Sequence, residues 1–222
     1  LEATTADYLQ QSVPGFDMEA PHYWANKVLT DSVTAADLTV SEPALIGWLH
    51  TLEAISQLCM ASARYRAAAN YARRVLKAEG YPTRAAGTVL LALARLEDQD
   101  GFFALAHQLE EEIGADALEN SPWYLLARTI LLFKTNKMRP ATRALREFAN
   151  RCEGGAFFLL NPMYQTPYLP CRPEPRDPWD LSHQAVWEAD GIISDTPDFA
   201  PWANACEDVS QLAQEFARRY GF

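Results

Sequence analysis

A recurring unit of two helical stretches joined by a short turn runs through the middle of the sequence. Tyr65, Phe102 and Met138 each follow such a turn, at spacings of 37 and 36 residues. A repeat of this length, built from two antiparallel helices, is typical of helical-repeat stacks. Each pair has an apolar face that it cannot bury alone, so neighbouring pairs must pack on one another. The recurrence therefore predicts an all-α fold.

Start and stop signals divide this region into six predicted helices. Ser41 supplies a hydroxyl N-cap, and Pro43 stands in the first turn, where a missing N–H does no harm. Apolar residues then recur at steps of three and four, which indicates an amphipathic helix. The predicted helices cover residues 43–62, 66–78, 83–97, 101–113, 122–134 and 139–151.

The three pairs resemble the tetratricopeptide-repeat family. Its motif places bulky and small residues in the first helix, and an aromatic residue before an Ala in the second. The residues at these places are Leu52, Ile55, Ser56, Tyr65 and Ala68 in the first pair, Leu90, Leu93, Ala94, Phe103 and Ala106 in the second, and Leu125, Thr129, Met138, Ala141, Leu145 and Phe148 in the third. None of the pairs carries the family's full Trp-Leu-Gly-Tyr set. The resemblance implies a right-handed α-α superhelix of about three TPR-like helix pairs.

A narrower set of segments is similar to the suppression-of-tumorigenicity-seven family. The matching segments are residues 59–61, 66–68, 109–112, 154–157, 162–164 and 167–168. This resemblance implies an interaction protein rather than an enzyme. Members of that family carry membrane spans, and this sequence shows none, so their location is not carried over.

The composition of the flanks divides the chain into three parts. Residues 1–42 are predicted to form an N-terminal helical cap, and residues 43–152 the TPR-like repeats. Residues 153–222 are rich in proline and aromatic residues and are predicted to form a C-terminal wrap. Within this wrap, a short helix is expected near 182–189 and a longer one over 201–220. All three parts are expected to form one compact unit.

The family resemblance also implies a binding groove, lined by the first helix of each pair. The residues that would face it are His50, Glu53, Gln57 and Met60 from the first pair, and Trp123, Leu126, Ile130 and Phe133 from the third. Chaperone-tail readers of this family clamp a terminal carboxylate with cations and amides. Glu53 would repel such a tail, so an acidic tail is not the expected ligand.

The predicted helices around residues 89–93 and 123–133 are apolar on nearly all sides, which indicates cover from both sides. We expect the segment 157–169 to lie back into the groove and fill its apolar end. Its contact area would come from aromatic residues that include Phe157, Phe158, Tyr164 and Tyr168. The alternative is that the groove is an open docking site for a partner.

Charge and cysteine content limit the partners and the compartment. With 19 Lys and Arg against 29 Asp and Glu, the net charge is −10, which argues against nucleic-acid binding and favours a neutral or basic protein or peptide. The four cysteines form no CxxC motif, which favours reduced thiols and a cytoplasmic location. No stretch is predicted to span a membrane. Because the sequence begins with Leu1, we expect it to be part of a longer protein.

Candidate chemistry is sparse in this sequence. Nucleophile elbows, phosphate-binding loops and zinc-protease motifs are absent, so no catalytic residue, metal site or cofactor is predicted. The nearest acid–base group is the region of Asp180, His183, Glu188 and Asp190, in which Ser182 is expected to be a helix N-cap. We therefore predict a non-enzymatic scaffold or adaptor, with an enzyme or enzyme subunit that uses this region as the alternative.

Overall fold

A computed structural model describes residues 1–13, 16–21, 35–78, 81, 83–167 and 174–222, and the side chains of all of these except 35–42. This part of the chain is helical and contains no β-strand, which confirms the all-α class. Its helices are α1 (Glu2–Ser12), α2 (Ala35–Ala61), α3 (Tyr65–Leu76), α4 (Ala85–Arg95), α5 (Gln99–Ile113), α6 (Ala115–Glu119), α7 (Pro122–Lys134), α8 (Met138–Arg151), α9 (Gly155–Leu160), a 3-10 turn (Pro162–Tyr164), α10 (Asp180–Ser194), α11 (Phe199–Asn204) and α12 (Glu207–Tyr220).

The six helices predicted between residues 43 and 151 correspond to α2, α3, α4, α5, α7 and α8. The first begins at Ala35 rather than at Ser41, and Pro43 lies inside it. A proline there cannot donate to the carbonyl four residues earlier, a local loss that the helix tolerates. The short helix α6 was not predicted, because five residues carry too little periodicity to identify.

The connecting turns of α2–α3, α4–α5 and α7–α8 share one backbone geometry. Each contains a non-glycine residue in the left-handed region, and these residues are 34 and 39 positions apart. In each turn, the next N–H bonds to the carbonyl five residues earlier, which is the Schellman arrangement. The left-handed residues are Ala63, Glu97 and Asn136, and the bonds are Arg64 to Cys59 (2.8 Å), Asp98 to Leu93 (3.1 Å) and Lys137 to Leu132 (2.9 Å).

Successive helices pack on one another along this region. Helix α3 lies between α2 and α4, and α7 lies between α4 and α8. Helices α3 and α8 bury one apolar face, whereas every residue from Gly87 to Ala94 of α4 is buried. This confirms that α4 is covered on both sides. Gly87 allows the close approach of α7, because a side chain at this position would collide with the ring of Trp123.

Helix α1 packs against α2 at the N-terminal end of the described structure. The Glu2 carboxylate accepts hydrogen bonds from the Trp48 indole (3.1 Å) and the Arg74 guanidinium (2.6 Å). These bonds join α1 to both α2 and α3.

The C-terminal region is more helical than expected. Residues 155–160 form α9, α10 extends beyond the predicted 182–189 at both ends, and the predicted final helix is divided into α11 and α12. The N-cap position of α10 is Trp179, and Ser182 is buried within the helix, so its predicted capping role is wrong. Pro201 stands in the first turn of α11, where it removes no intrahelical bond.

Aromatic side chains join α9 to α12. Gly154, in a left-handed conformation with φ of 72°, starts α9, and any side chain there would collide with Phe216 and Trp179. The aromatic side chains that join these helices are called the C-terminal aromatic cluster below. They are Phe157, Phe158, Tyr164, Trp179, Phe216, Tyr220 and Phe222.

Candidate interaction groove

Helix α10 lies against three helices of the central region. It contacts α2, α4 and α7 on one side and α9 on the other. Its residues Ala185, Val186, Ala189 and Ile192 are completely or almost completely buried. The surface formed by α2, α4 and α7 is called the interaction groove below, and α10 occupies it.

Three polar contacts join α10 to α4 at a constant offset of 100 residues. The Arg84 guanidinium donates to Gln184 Oε1 (3.0 Å), the Thr88 hydroxyl donates to Glu188, and Arg95 Nε donates to Asp195 Oδ2 (2.9 Å). A constant offset means that the two helices run parallel. We call this row of contacts the polar seam.

Glu188 is the central residue of the seam and is 7% exposed. One carboxylate oxygen accepts from the Thr88 hydroxyl, and the other accepts from the Trp123 indole N–H at 2.8 Å. Glu188 therefore connects α10 to both α4 and α7. A buried carboxylate is tolerated only where such donors replace its hydration.

Arg95 and Asp195 close the far end of the seam. The hydrogen bond to Asp195 holds the pKa of Arg95 above its ordinary value, and the same bond lowers the pKa of Asp195. The Arg95 guanidinium also lies over the Tyr65 ring, 5.3 Å from the centroid. Arg95 thus joins this end of α10 to α4 and also contacts α3.

The four predicted groove residues of α2 lie in two different environments. Gln57 and Met60 are buried and line a small cavity together with Trp187 of α10. His50 lies beside the Tyr81 ring, and Glu53 accepts hydrogen bonds from the hydroxyls of Tyr81 and Thr83. Glu53 is therefore not the unpaired carboxylate on which the argument against an acidic ligand depended.

Three of the four predicted groove residues of α7 are buried, and the fourth, Phe133, is half-buried. Trp123 donates to Glu188 of α10, and Leu126 and Ile130 are fully buried. The Phe133 ring packs on Phe199 and Trp202 of α11, with centroids 5.2 and 4.8 Å away. Helices α10 and α11 thus cover this end of the groove.

The segment expected to fill the groove lies elsewhere. Phe157 and Phe158 pack on Phe216 of the C-terminal aromatic cluster, with centroids 5.2 and 5.7 Å away, and Tyr164 packs on Phe157 at 5.2 Å. Tyr168 lies outside the described residues. The aromatic rings of this segment find aromatic partners in α12, and α10 takes the place in the groove.

The alternative site around Asp180, His183 and Asp190 is not assembled. Asp180 accepts from the backbone N–H groups of Arg176 (2.7 Å) and Asp177 (3.0 Å), just before α10. His183 and Asp190 are about 10 Å apart along the helix axis, given the α-helical rise per residue. Within the described residues, no group of three metal-ligating side chains occurs.

His183 ties α10 to the segment that follows α9. Its Nε2 accepts from the backbone N–H of Thr166 (3.0 Å), and its ring lies 4.6 Å from that of Phe158. Accepting this bond requires an unprotonated Nε2. Burial lowers the pKa of His183 below its ordinary 6.5, and the nearby Asp180 carboxylate partly opposes this shift.

This lowered pKa predicts a specific pH dependence of stability. The unfolded chain takes up the His183 proton at a higher pH than the folded chain does, so the stabilisation is complete above pH 6.5. It is lost as the pH falls from 6.5 through the lower, folded pKa. Urea unfolding of the wild type and His183→Asn as a function of pH measures this effect. The same slope in both proteins would contradict the assignment.

The described cysteines predict a second chemical property. Cys59, Cys152 and Cys206 are free thiols, and burial raises the pKa of Cys152 to about 12, with a small opposing effect from Arg151. Because the thiolate is the reactive form, Cys152 will be alkylated by iodoacetamide only after unfolding. Peptide mapping by mass spectrometry checks this, with the half-buried Cys206 as the internal comparison. Rapid labelling of Cys152 in the native protein would show that it is accessible. Cys171 lies outside the described residues.

The residues of the polar seam were not singled out as a contact surface by the sequence analysis. The sequence does contain a pattern that could have identified them. Positions 84, 88 and 95, in and next to α4, have the same spacing as positions 184, 188 and 195, in and next to α10. Steps of four and seven keep each set on one helix face. A polar stripe on an otherwise apolar α4 indicates a buried helical partner.

Comparisons with family models, curated proteins and solved structures find no match to this chain. In the described part of the chain, no helix has both the length and the apolar character that crossing a membrane requires.

Proposed function

We propose that this chain is a non-enzymatic interaction module, a scaffold or adaptor in which three TPR-like helix pairs form a right-handed superhelix. The pairs are α2–α3, α4–α5 and α7–α8. Two observations support this arrangement: the shared geometry of the three connecting turns, and the packing of α2, α4 and α7 against one helix, α10. A cytoplasmic location remains a prediction from the cysteine usage.

The single observation that carries the proposal is the parallel docking of α10 along α4. Helix α10 lies where a helical ligand of the groove would lie, and the polar seam fixes its register. Helix-in-groove recognition uses the same combination of apolar anchors and a few polar contacts. We infer that the groove is a helix-binding surface and that α10 is its resident ligand.

The seam restricts the partner that could replace α10. Arg84, Thr88 and Arg95 are donors on the groove side, so a competing helix needs acceptors at the positions of Gln184, Glu188 and Asp195. The net charge of −10 still favours a partner that is neutral or basic elsewhere. The expected partner is an amphipathic helix with acidic residues only on its groove-facing side.

Exchange of α10 for a labelled copy of itself tests the proposal. In the Glu188→Lys variant of the whole chain, the docking of α10 in the groove is weakened, while the residues of the groove are unchanged. We expect a fluorescent peptide of residues 180–195 to bind this variant, measured by anisotropy, and not to bind the wild type. Binding would show that the groove accepts a helix supplied in trans.

Two controls make this result specific. Glu110→Lys makes the same charge change at an exposed position of α5, and it should leave the groove closed to the peptide. A peptide carrying Lys at position 188 should not bind the opened groove. If the wild-type peptide fails to bind Glu188→Lys although hydrogen exchange shows α10 released, the groove is not a helix-binding surface.

A further inference from the structure

A second concave site lies on the other side of α10, away from the interaction groove. It is a cavity of about 530 Å³ between α9, the 3-10 turn, the C-terminal half of α10 and α11. Its walls are largely apolar and include Leu159, Leu160, Pro162, Ile193 and Pro201. Cavities that bind small organic molecules have this character and fall in this range of volume.

Asp190 is the one charged side chain among the described residues that line this cavity. It is half-buried, and it forms no hydrogen bond or ion pair within the described part of the chain. Burial raises the pKa of its carboxyl group, and no cation opposes the shift. Partial burial disfavours the ionised form of this carboxyl group, and a cation bound beside it would offset that cost.

Three further polar residues, Gln165, Ser194 and Asn204, line the cavity, and the first two offer acceptors. Gln165 donates through Nε2 to the Phe158 carbonyl (3.3 Å), which leaves its Oε1 as an acceptor. Ser194 adds a hydroxyl that can accept or donate. An ammonium group, with three donors and no acceptor, matches this set, whereas an anion would be repelled by Asp190.

A smaller cavity beside Asp190 also contains a hydrogen-bond acceptor that has no donor among the described residues. It has a volume of about 160 Å³, and Asp190 lines it together with Gln57 of α2 and Trp187 of α10. Gln57 is 4% exposed, and its Oε1 is buried without a hydrogen-bond partner in the described structure. Neither cavity therefore places a cationic side chain from the described residues beside Asp190.

We propose that the larger cavity binds a small organic cation, with a protonated primary amine on Asp190 and an apolar body against Leu159, Leu160 and Ile193. A single lysine side chain of a protein partner would leave most of the volume unfilled, so the ligand is a free small molecule. This proposal does not rest on the function proposed for the interaction groove.

Calorimetric titration of the full chain with three probes of one shape tests the proposal. The probes are 4-phenylbutylamine, the neutral 4-phenylbutanol and the anionic 4-phenylbutyrate. At pH 7.5 the amine should bind at least about tenfold more tightly than the alcohol, because only the amine pairs with a half-buried carboxylate. The butyrate should not bind.

Variants locate the binding. Asp190→Asn keeps the shape and removes the charge, so the affinity for the amine should fall about tenfold, to that of the alcohol. Asp198→Asn makes the same change at an exposed residue outside the cavity and should bind like the wild type. Ala200→Phe fills the cavity and should abolish binding of the amine and the alcohol.

The proposal is overturned by any of three results. These are equal affinity of the wild type for amine and alcohol, undiminished amine binding by Ala200→Phe, and no binding of any probe at millimolar concentration. A melting curve for each variant shows that it is folded. If Asp190→Asn does not fold, the probe comparison and Ala200→Phe decide the question.

Discussion

Replacing Glu188 with lysine is expected to destabilise the fold by about 3–5 kcal/mol. The change leaves the Trp123 indole N–H without its acceptor in a buried site and places an ammonium among the cations of the polar seam. Neither group can reach water without displacing α10. Urea unfolding measures the loss of free energy, and hydrogen exchange should show that the α10 amides lose protection first.

Two further variants separate this effect from a simple change of net charge. Glu110→Lys alters an exposed residue and should stay within about 0.5 kcal/mol of the wild type. Glu188→Gln keeps one acceptor oxygen and should cost about 1 kcal/mol. If Glu188→Lys is no worse than Glu110→Lys, the polar seam does not hold α10 in place.

Truncation of Phe216 to alanine is expected to cost about 3–5 kcal/mol. This side chain is 6% exposed and lies at the centre of the C-terminal aromatic cluster. Its ring centroid is 5.2 Å from that of Phe157, 4.8 Å from Tyr220 and 5.5 Å from Phe222. The surrounding rings come from α9, from α12 and from the residue at the end of the chain, so they cannot all move together to fill the cavity left behind. Chemical unfolding followed by tryptophan fluorescence measures the loss.

Phe103→Ala is the matched control for this prediction. Phe103 is 46% exposed, so its truncation leaves no enclosed cavity and should cost less than about 1 kcal/mol. Equal losses in the two variants would mean that the aromatic cluster contributes no more than surface packing. The tail of the chain would then be dispensable for stability.

The helical class and most helix ends between residues 43 and 152 could be predicted because their causes are local. Periodic apolar residues define the buried faces of α3 and α8, and the Ser121–Pro122 start of α7 is an N-cap followed by a first-turn proline. The early start of α2 could not be predicted this way, since Pro43 resembles a first-turn residue whether or not the helix precedes it.

The occupant of the groove could not be predicted, because it depends on contacts between distant residues. The segment 157–169 is rich in aromatic residues, and its composition therefore predicts that it fills the apolar groove. The structure instead places α10 in the groove, where polar side chains join it to α4. Packing between helices that are far apart in sequence depends on the shapes of the side chains and on hydrogen-bond donors such as Thr88. A hydropathy pattern contains neither kind of information.

The offset of 100 residues between the partners of the polar seam has a consequence for the order of folding. Contacts within and between neighbouring helix pairs close short loops, whereas docking of α10 closes a long one and so pays the larger entropy. At translation rates of about 5–20 residues per second, α4 leaves the ribosome roughly 5–20 s before α10. A newly made chain therefore passes through a stage with a vacant apolar trough, during which a chaperone or a partner helix can reach it without competition.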